Sequence, residues 1–161
     1  DVGCGEGADA LWLAQRGWKV TANDISTVAL ERTARAAADA GVRVEVLAAD
    51  LTAEPVPGTY DLVTVHYPAL RHTPDDDAIG ALLAAVAPGG TLLVVGHDFD
   101  GHEHHRPGFD PTEYVQPPDV ARHLGDGWTV EVHERRPRMR PPGSPGPEVP
   151  DVVLRARRSD P

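Results

Sequence analysis

One cysteine, Cys4, stands in 161 residues, so no disulfide framework and no four-thiolate metal site can be built within the chain. Positive charge is also scarce: 15 Lys and Arg against 25 Asp and Glu give a formal charge of −10. A surface of that sign repels phosphate backbones, which argues against a nucleic-acid partner. No apolar run approaches the roughly 20 residues that cross a bilayer, and no signal-peptide pattern opens the sequence. No membrane association is therefore expected, and the lone thiol fits a reducing, cytoplasmic setting. What is present is ordinary: 40% hydrophobic and 25% charged residues, enough for the core of one domain spanning residues 1–161.

Extended and helical patterns alternate along the first hundred residues. Ala10, Leu11, Leu13 and Ala14 recur at helical spacing until Gly17, and Trp18 to Asn23 reads as a strand ending on Asp24. Ser26 is placed to cap the next helix, which runs to Gly41. Val42, Val44 and Val46 then alternate with Arg43 and Glu45 in the period of a strand that leads to Asp50. Asp61 to Val65 is a third strand. Thr73-Pro74, followed by three aspartates, predicts a helix start, with Ile79, Leu82, Leu83 and Val86 on one face and Pro88-Gly89-Gly90 as its stop. Thr91 to Val95 is almost wholly apolar, which predicts burial on both faces.

Ten of the 16 prolines fall between residues 100 and 150, where a short helix over 119–124 is expected, followed by strands over 128–134 and 152–157. The order of elements predicts an α/β fold, a Rossmann-like doubly wound sheet. Only Asp1 and Val2 precede the first glycine turn, where such a fold has a complete central strand. The expectation is a first strand cut short, in a chain that continues upstream.

Asp1-Val2-Gly3-Cys4-Gly5-Glu6-Gly7 has the form acid-x-G-x-G-x-G. Its third glycine comes one residue earlier than in the dinucleotide fingerprint. Glycines admit a ligand close to the backbone, but a carboxylate beside them repels pyrophosphate and suits a cation such as an amino-acid ammonium. Asp24 and Asp50 end the next two predicted strands. There a carboxylate can accept both hydroxyls of a ribose (Asp24) or an adenine amino group (Asp50), or serve merely as a helix cap or loop acid.

With these residues in place, the sequence resembles the class I S-adenosylmethionine-dependent methyltransferases through DVGCGEG, VTANDIS, LAAD, YDLVTVH and VAPGGTLLVVGHD. The stretch ADALWLAQRGWKVTANDIS looks like the branch of tellurite-resistance and thiopurine-type small-molecule enzymes. The resemblance covers residues 1–98. It implies a seven-stranded, mostly parallel sheet with one antiparallel strand, S-adenosyl-L-methionine as cofactor, and a small-molecule acceptor. It further implies that Asp1, Gly3, Cys4, Gly5 and Gly7 hold the methionine part and Asp24 the ribose. Ile25 and Leu51 would flank the adenine, and Asp50 would take its amino group.

The same layout carries His66-Tyr67-Pro68 past the methyl group. His66 can act there as a base or as a cofactor contact, and His97 ends the following strand near the same edge. The adjacent Asp98 makes a His–carboxylate pair conceivable, although neighbours on a strand face opposite ways. Arg71 can receive an anionic acceptor or, as the preferred reading, pair with Asp75 to Asp77. Trp12, Trp18 and Trp128 are expected in the core or between helix and sheet. The segment rich in histidine from His97 to His105 matches no ordered zinc spacing and reads as a loop, so no metal is assigned. Three rival readings remain at this point: a cofactor-binding but catalytically silent domain, an NAD(P)-dependent oxidoreductase, and a metal protein built on that loop. Oligomeric state is open.

Overall fold

The computed structural model describes residues 1–99, 110–138 and 149–160. Its strands are β1 (Val20–Asp24), β2 (Val44–Ala48), β3 (Tyr60–His66), β4 (Val86–His97), β5 (Trp128–Arg136) and β6 (Asp151–Arg158). The helices are α1 (Ala8–Ala14), α2 (Thr27–Asp39), α3 (Asp77–Ala85) and α4 (Pro117–Arg122), with a 3-10 turn at Pro111–Glu113.

β1 pairs parallel with β2, and β3 pairs parallel with β4. β6 then runs antiparallel between β4 and β5. Between the two groups lies Val2, which bridges Asn23 of β1 on one side and Val65 of β3 on the other. The Val2 N–H donates to Thr64 O at 2.8 Å, and the Asn23 N–H donates to Asp1 O at 2.8 Å. Six strands are therefore present among the described residues where seven were expected. Val2 occupies the seventh position only as an isolated bridge.

The principal core lies where α3 and α4 cover β3, β4 and β6: Val65, Ile79, Leu82, Leu92, Val94, Val120 and Leu154 are all fully buried. Leu93 and Val95, the alternate residues of β4, are only partly buried, so the expectation of two buried faces is corrected to one. A smaller cluster of Ala10, Val20 and Ala22 joins α1 to β1.

Several boundaries differ from the sequence reading: β1 begins at Val20 instead of Trp18, α4 spans Pro117–Arg122 instead of 119–124, and the larger changes are at α3. α3 ends at Ala85, and Val86 is already extended, so Pro88-Gly89-Gly90 is not a helix stop. It is a break in register inside β4, between the pairs Tyr60–Val86 and Leu62–Thr91. Ala87, the residue before Pro88, is extended as a residue preceding proline favours, so the strand is already under way before the glycines are reached. α3 also starts at Asp77 rather than beside Thr73, although the Thr73 hydroxyl still accepts the Asp77 N–H at 2.9 Å. Ser26 caps α2 as expected, accepting the Ala29 N–H at 3.3 Å. Trp12 and Trp18 are exposed, with the Arg16 guanidinium 3.6 Å from the centre of the Trp12 ring; only Trp128 packs on the core.

Candidate functional site

Immediately after Val2 the chain reverses through Gly3, Gly5 and Gly7, whose φ angles of 66°, 55° and 82° lie in the left-handed region. Glycine occupies that region without the Cβ penalty. A Cβ built on Gly3 or Gly5 would meet nothing within 4 Å, so both turn an open backbone outward. Gly7 is different: a Cβ there would lie 2.5 Å from Thr33 Cγ2 of α2. The loop is pinned at three points. Cys4 N–H donates to Asn23 O at 3.0 Å, Gly5 N–H to Asp24 Oδ2 at 2.9 Å, and the buried Thr33 hydroxyl to Gly5 O at 3.0 Å. Cys4 is half-buried within this turn, and burial pushes its thiol above the ordinary value, so it stays protonated and packs.

Each strand-end acid has a defined state. Asp1 accepts from the Thr64 hydroxyl through Oδ1 at 3.0 Å, while its Oδ2 is buried without a hydrogen-bond partner among the described residues. Asp24 accepts the Gly5 N–H on one oxygen and the Ser26 N–H on the other, both at 2.9 Å. It therefore braces the glycine loop and the cap of α2 while keeping further lone pairs. Asp50 is exposed and accepts from the Thr52 hydroxyl and N–H, which hold its carboxyl below the ordinary value. Ile25 is 71% exposed, whereas Leu51 is 2% exposed and belongs to the principal core. Of the expected apolar pair, only Ile25 offers a free side-chain face.

A cleft of about 350 Å³ opens in front of the glycine turn, lined by Asp1, Gly3, Cys4, Asp9, His66 and Tyr67 with Val95. His66 Nδ1 lies 2.7 Å from Asp9 Oδ2. Sequence reasoning missed Asp9, because an acid in the first turn of a helix reads as a dipole complement. It missed Asn23 as well, which is buried and donates through Nδ2 to Leu47 O and Ala49 O at 3.1 and 3.0 Å, fixing the end of β2 beside β1.

His97 does not line this cleft. It faces a second cavity of about 290 Å³, together with Asp98, Phe99, Gln116 and Arg135. Its carboxylate partner is Asp151, opposite it in the β4–β6 register, and not Asp98. Asp98, just past the end of β4, pairs instead with Arg135 at 2.8 Å, and both line the same cavity. Burial and the nearby Arg138 hold the His97 imidazole below its ordinary pKa. Asp151 also accepts from the Tyr67 hydroxyl at 2.9 Å, and burial followed by that hydrogen bond raises the phenol.

Arg71 pairs with Glu113 at 2.8 Å instead of with Asp75 to Asp77. Among the described residues no group of three or more His, Cys, Asp or Glu is placed to hold a metal, and His102, His104 and His105 lie outside them. No described helix is long and apolar enough to cross a membrane.

A family model described as a methyltransferase domain matches residues 1–90, more than half of the chain. A ribosomal RNA small subunit methyltransferase C from Chromohalobacter salexigens is 34% identical over 104 residues, covering 62% of this chain and 31% of the relative. A ubiquinone biosynthesis O-methyltransferase from Burkholderia multivorans is 39% identical over 96 residues, covering 58% of this chain and 41% of the relative. The chain thus spans less than half the length of these curated relatives. Among solved structures, TehB from Haemophilus influenzae superposes with a TM-score of 0.74 at 15% identity, over 99% of this chain and 56% of that one, which shows a shared fold.

Proposed function

The chain belongs to the class I S-adenosylmethionine-dependent methyltransferase family, whose cofactor is S-adenosyl-L-methionine, and from that premise we propose that it transfers a methyl group to a small-molecule acceptor. The family match sets aside the NAD(P)-dependent oxidoreductase reading. One observation carries the proposal: Asp1, whose Oδ2 is buried without a hydrogen-bond partner among the described residues, lines a cleft together with Gly3 and Cys4 of the glycine turn. A buried carboxylate oxygen of this kind calls for a cationic hydrogen-bond donor, and an amino-acid ammonium is one.

The residues fit the cofactor. Asp1, Gly3, Cys4 and Gly5 would hold its methionine part, with Gly7 shaping the turn, and Asp24 would accept the ribose hydroxyls beside the loop it braces. Asp50 would accept the adenine amino group, with Ile25 against one face of the ring. When bound, the cofactor supplies an electrophilic methyl on a sulfonium. The task of the protein is alignment and exclusion of water, worth up to roughly 7–11 kcal/mol when orientation is complete.

His66 is the base of this reading. Asp9 accepts the Nδ1–H, which leaves Nε2 free to take a proton from an acceptor. His97 is proposed as a contact on the acceptor side, since it lines the neighbouring cavity. The test is kinetic. With a hydroxyl acceptor, His66→Ala is expected to lower kcat by about 10²- to 10⁴-fold with little change in cofactor affinity. Asp9→Asn is expected to lower kcat comparably, because an amide N–H on Nδ1 would place the proton on Nε2. Loss of cofactor affinity with kcat preserved would make His66 a cofactor contact and remove it as a base.

RNA is the second reading, favoured by the ribosomal RNA relative. The formal charge of −10 weighs against it. Salt-sensitive retention of a structured RNA on a filter would revive it.

A further inference from the structure

The run Glu134-Arg135-Arg136-Pro137-Arg138 stands at the end of β5, and the fold treats its three arginines differently. Arg135 pairs with Asp98 at 2.8 Å and Arg136 with Glu134 at 2.5 Å. Arg138 pairs with no carboxylate among the described residues and lies instead on two rings. Its Nη1 is 3.3 Å from both ring nitrogens of His97, and its Cζ is 4.9 Å from the centre of the Tyr67 ring. A point equally distant from both imidazole nitrogens lies over the ring, because in the ring plane it would collide with the ring carbons. The two rings are themselves neighbours, with centroids 4.6 Å apart.

Contact with a π-face attracts a guanidinium and fixes it without consuming the donors along its edge. Only Nη1 has a polar contact within the fold; the Nε and Nη2 groups have no acceptor among the described residues. Those two groups are the side of the fork that meets a carboxylate through two parallel N–H···O bonds. The support beneath them is rigid. Asp151 accepts from the Tyr67 hydroxyl at 2.9 Å on one oxygen and lies 3.3 Å from His97 Nδ1 with the other, so both of its oxygens are engaged. Tyr67 also carries a left-handed φ of 51°, with its N–H donating to Val95 O at 2.7 Å. A non-glycine residue keeps such a backbone only where its surroundings over-determine it, and positions of this kind cluster at functional sites.

Tyr67 directly follows His66, and both line the cofactor cleft together with Val95. The guanidinium therefore rests against a wall residue of the cleft, next in sequence to the proposed base. The charge it can accept is limited. The carboxylates of Asp151 and Asp9 both lie close enough to act on the Tyr67 phenol, so the neighbourhood already carries negative charge. One guanidinium there matches a singly charged carboxylate, whereas a phosphate dianion would bring a second charge without a partner.

We propose that the methyl acceptor is a small carboxylic acid whose carboxylate docks on the Nε and Nη2 edge of Arg138, beside Tyr67 at the cleft. The proposal rests on the methyltransferase reading. The carboxylate anchors the acceptor and takes no part in the transfer, so Arg138 determines which acceptors bind and leaves the chemistry to the cleft.

The test is an NMR titration of the chain in the presence of S-adenosylhomocysteine. The probes are 4-hydroxyphenylacetate, its neutral amide 4-hydroxyphenylacetamide, and phenyl phosphate. The expected result is a Kd for the acid about tenfold or more below those of the other two, with shifts at the Tyr67 and His97 rings. Arg138→Gln should reduce the preference for acid over amide to about twofold or less. Arg138→Lys should keep part of it, because an ammonium retains the charge without the fork. Equal affinity for acid and amide, tighter binding of the phosphate, no saturable binding of the acid, or a preference that survives Arg138→Gln would overturn the proposal. Failure of S-adenosylhomocysteine to bind in the same samples would instead strike the methyltransferase reading.

Discussion

Asp1→Asn is expected to weaken S-adenosylhomocysteine binding by about 1.5–3 kcal/mol, roughly 10- to 150-fold, while leaving the folded chain at least as stable as before. The two effects have opposite signs because Asp1 Oδ2 is buried and has no hydrogen-bond partner among the described residues. Without ligand, that oxygen carries a desolvation cost that nothing in the fold repays. Asparagine keeps an oxygen for the Thr64 hydroxyl, which Asp1 accepts at 3.0 Å, and replaces the unpartnered charged oxygen with a neutral NH₂ that is less costly to bury. With ligand, the missing charge is the one that would meet the ammonium. Calorimetry for the Kd and a thermal melt for stability check both halves. An unchanged Kd with a lowered Tm would make Asp1 a structural residue.

Gly7→Ala should produce the largest loss of stability among the glycine-turn substitutions, about 2–5 kcal/mol. The left-handed φ of 82° costs roughly 1–2 kcal/mol for an L residue. The overlap of the new Cβ with Thr33, at 2.5 Å, adds a further cost of the order of 1–3 kcal/mol for overpacking. Thr33 is fully buried and donates to Gly5 O, so it cannot simply turn away. Adding Thr33→Ala should restore part of the loss, which makes the two substitutions non-additive in a double-mutant cycle. Gly5→Ala is the contrast. Its Cβ meets no atom within 4 Å, so it should cost only the backbone term. Denaturant melts of the three variants separate these terms, and a Gly7→Ala cost no larger than that of Gly5→Ala would contradict the overlap argument.

What could be read from the sequence was whatever depends on local pattern. The glycines at 3, 5 and 7 each adopt the backbone that only glycine takes easily, and Ser26 caps the helix that follows Asp24. The alternation at Val44 and Val46 marks β2, and the extended residues after Asp61 mark β3. What could not be read depends on long-range register. His97 finds Asp151, 54 residues away, because β6 runs antiparallel against β4 and places the two opposite one another. His66 at the end of β3 meets Asp9 in the first turn of α1, and nothing in the spacing of 57 residues announces it. Leu51 follows Asp50 as an adenine contact would, yet its side chain turns into the core. The start of β4 at Val86 was hidden because an apolar run before Pro-Gly-Gly satisfies the helical period and the strand equally well. Trp12 and Trp18 show the limit of composition: large aromatics can lie exposed on a helix or a turn, as Trp12 does beneath Arg16.

The central claim is that the cleft before Gly3, Gly5 and Gly7 takes the cofactor of the class I methyltransferases. It is tested most directly by calorimetric titration of the chain with S-adenosylhomocysteine, with NAD run in parallel. The account predicts saturable one-site binding of S-adenosylhomocysteine and no heat of binding from NAD. Binding of NAD, or a flat titration with S-adenosylhomocysteine, would contradict it.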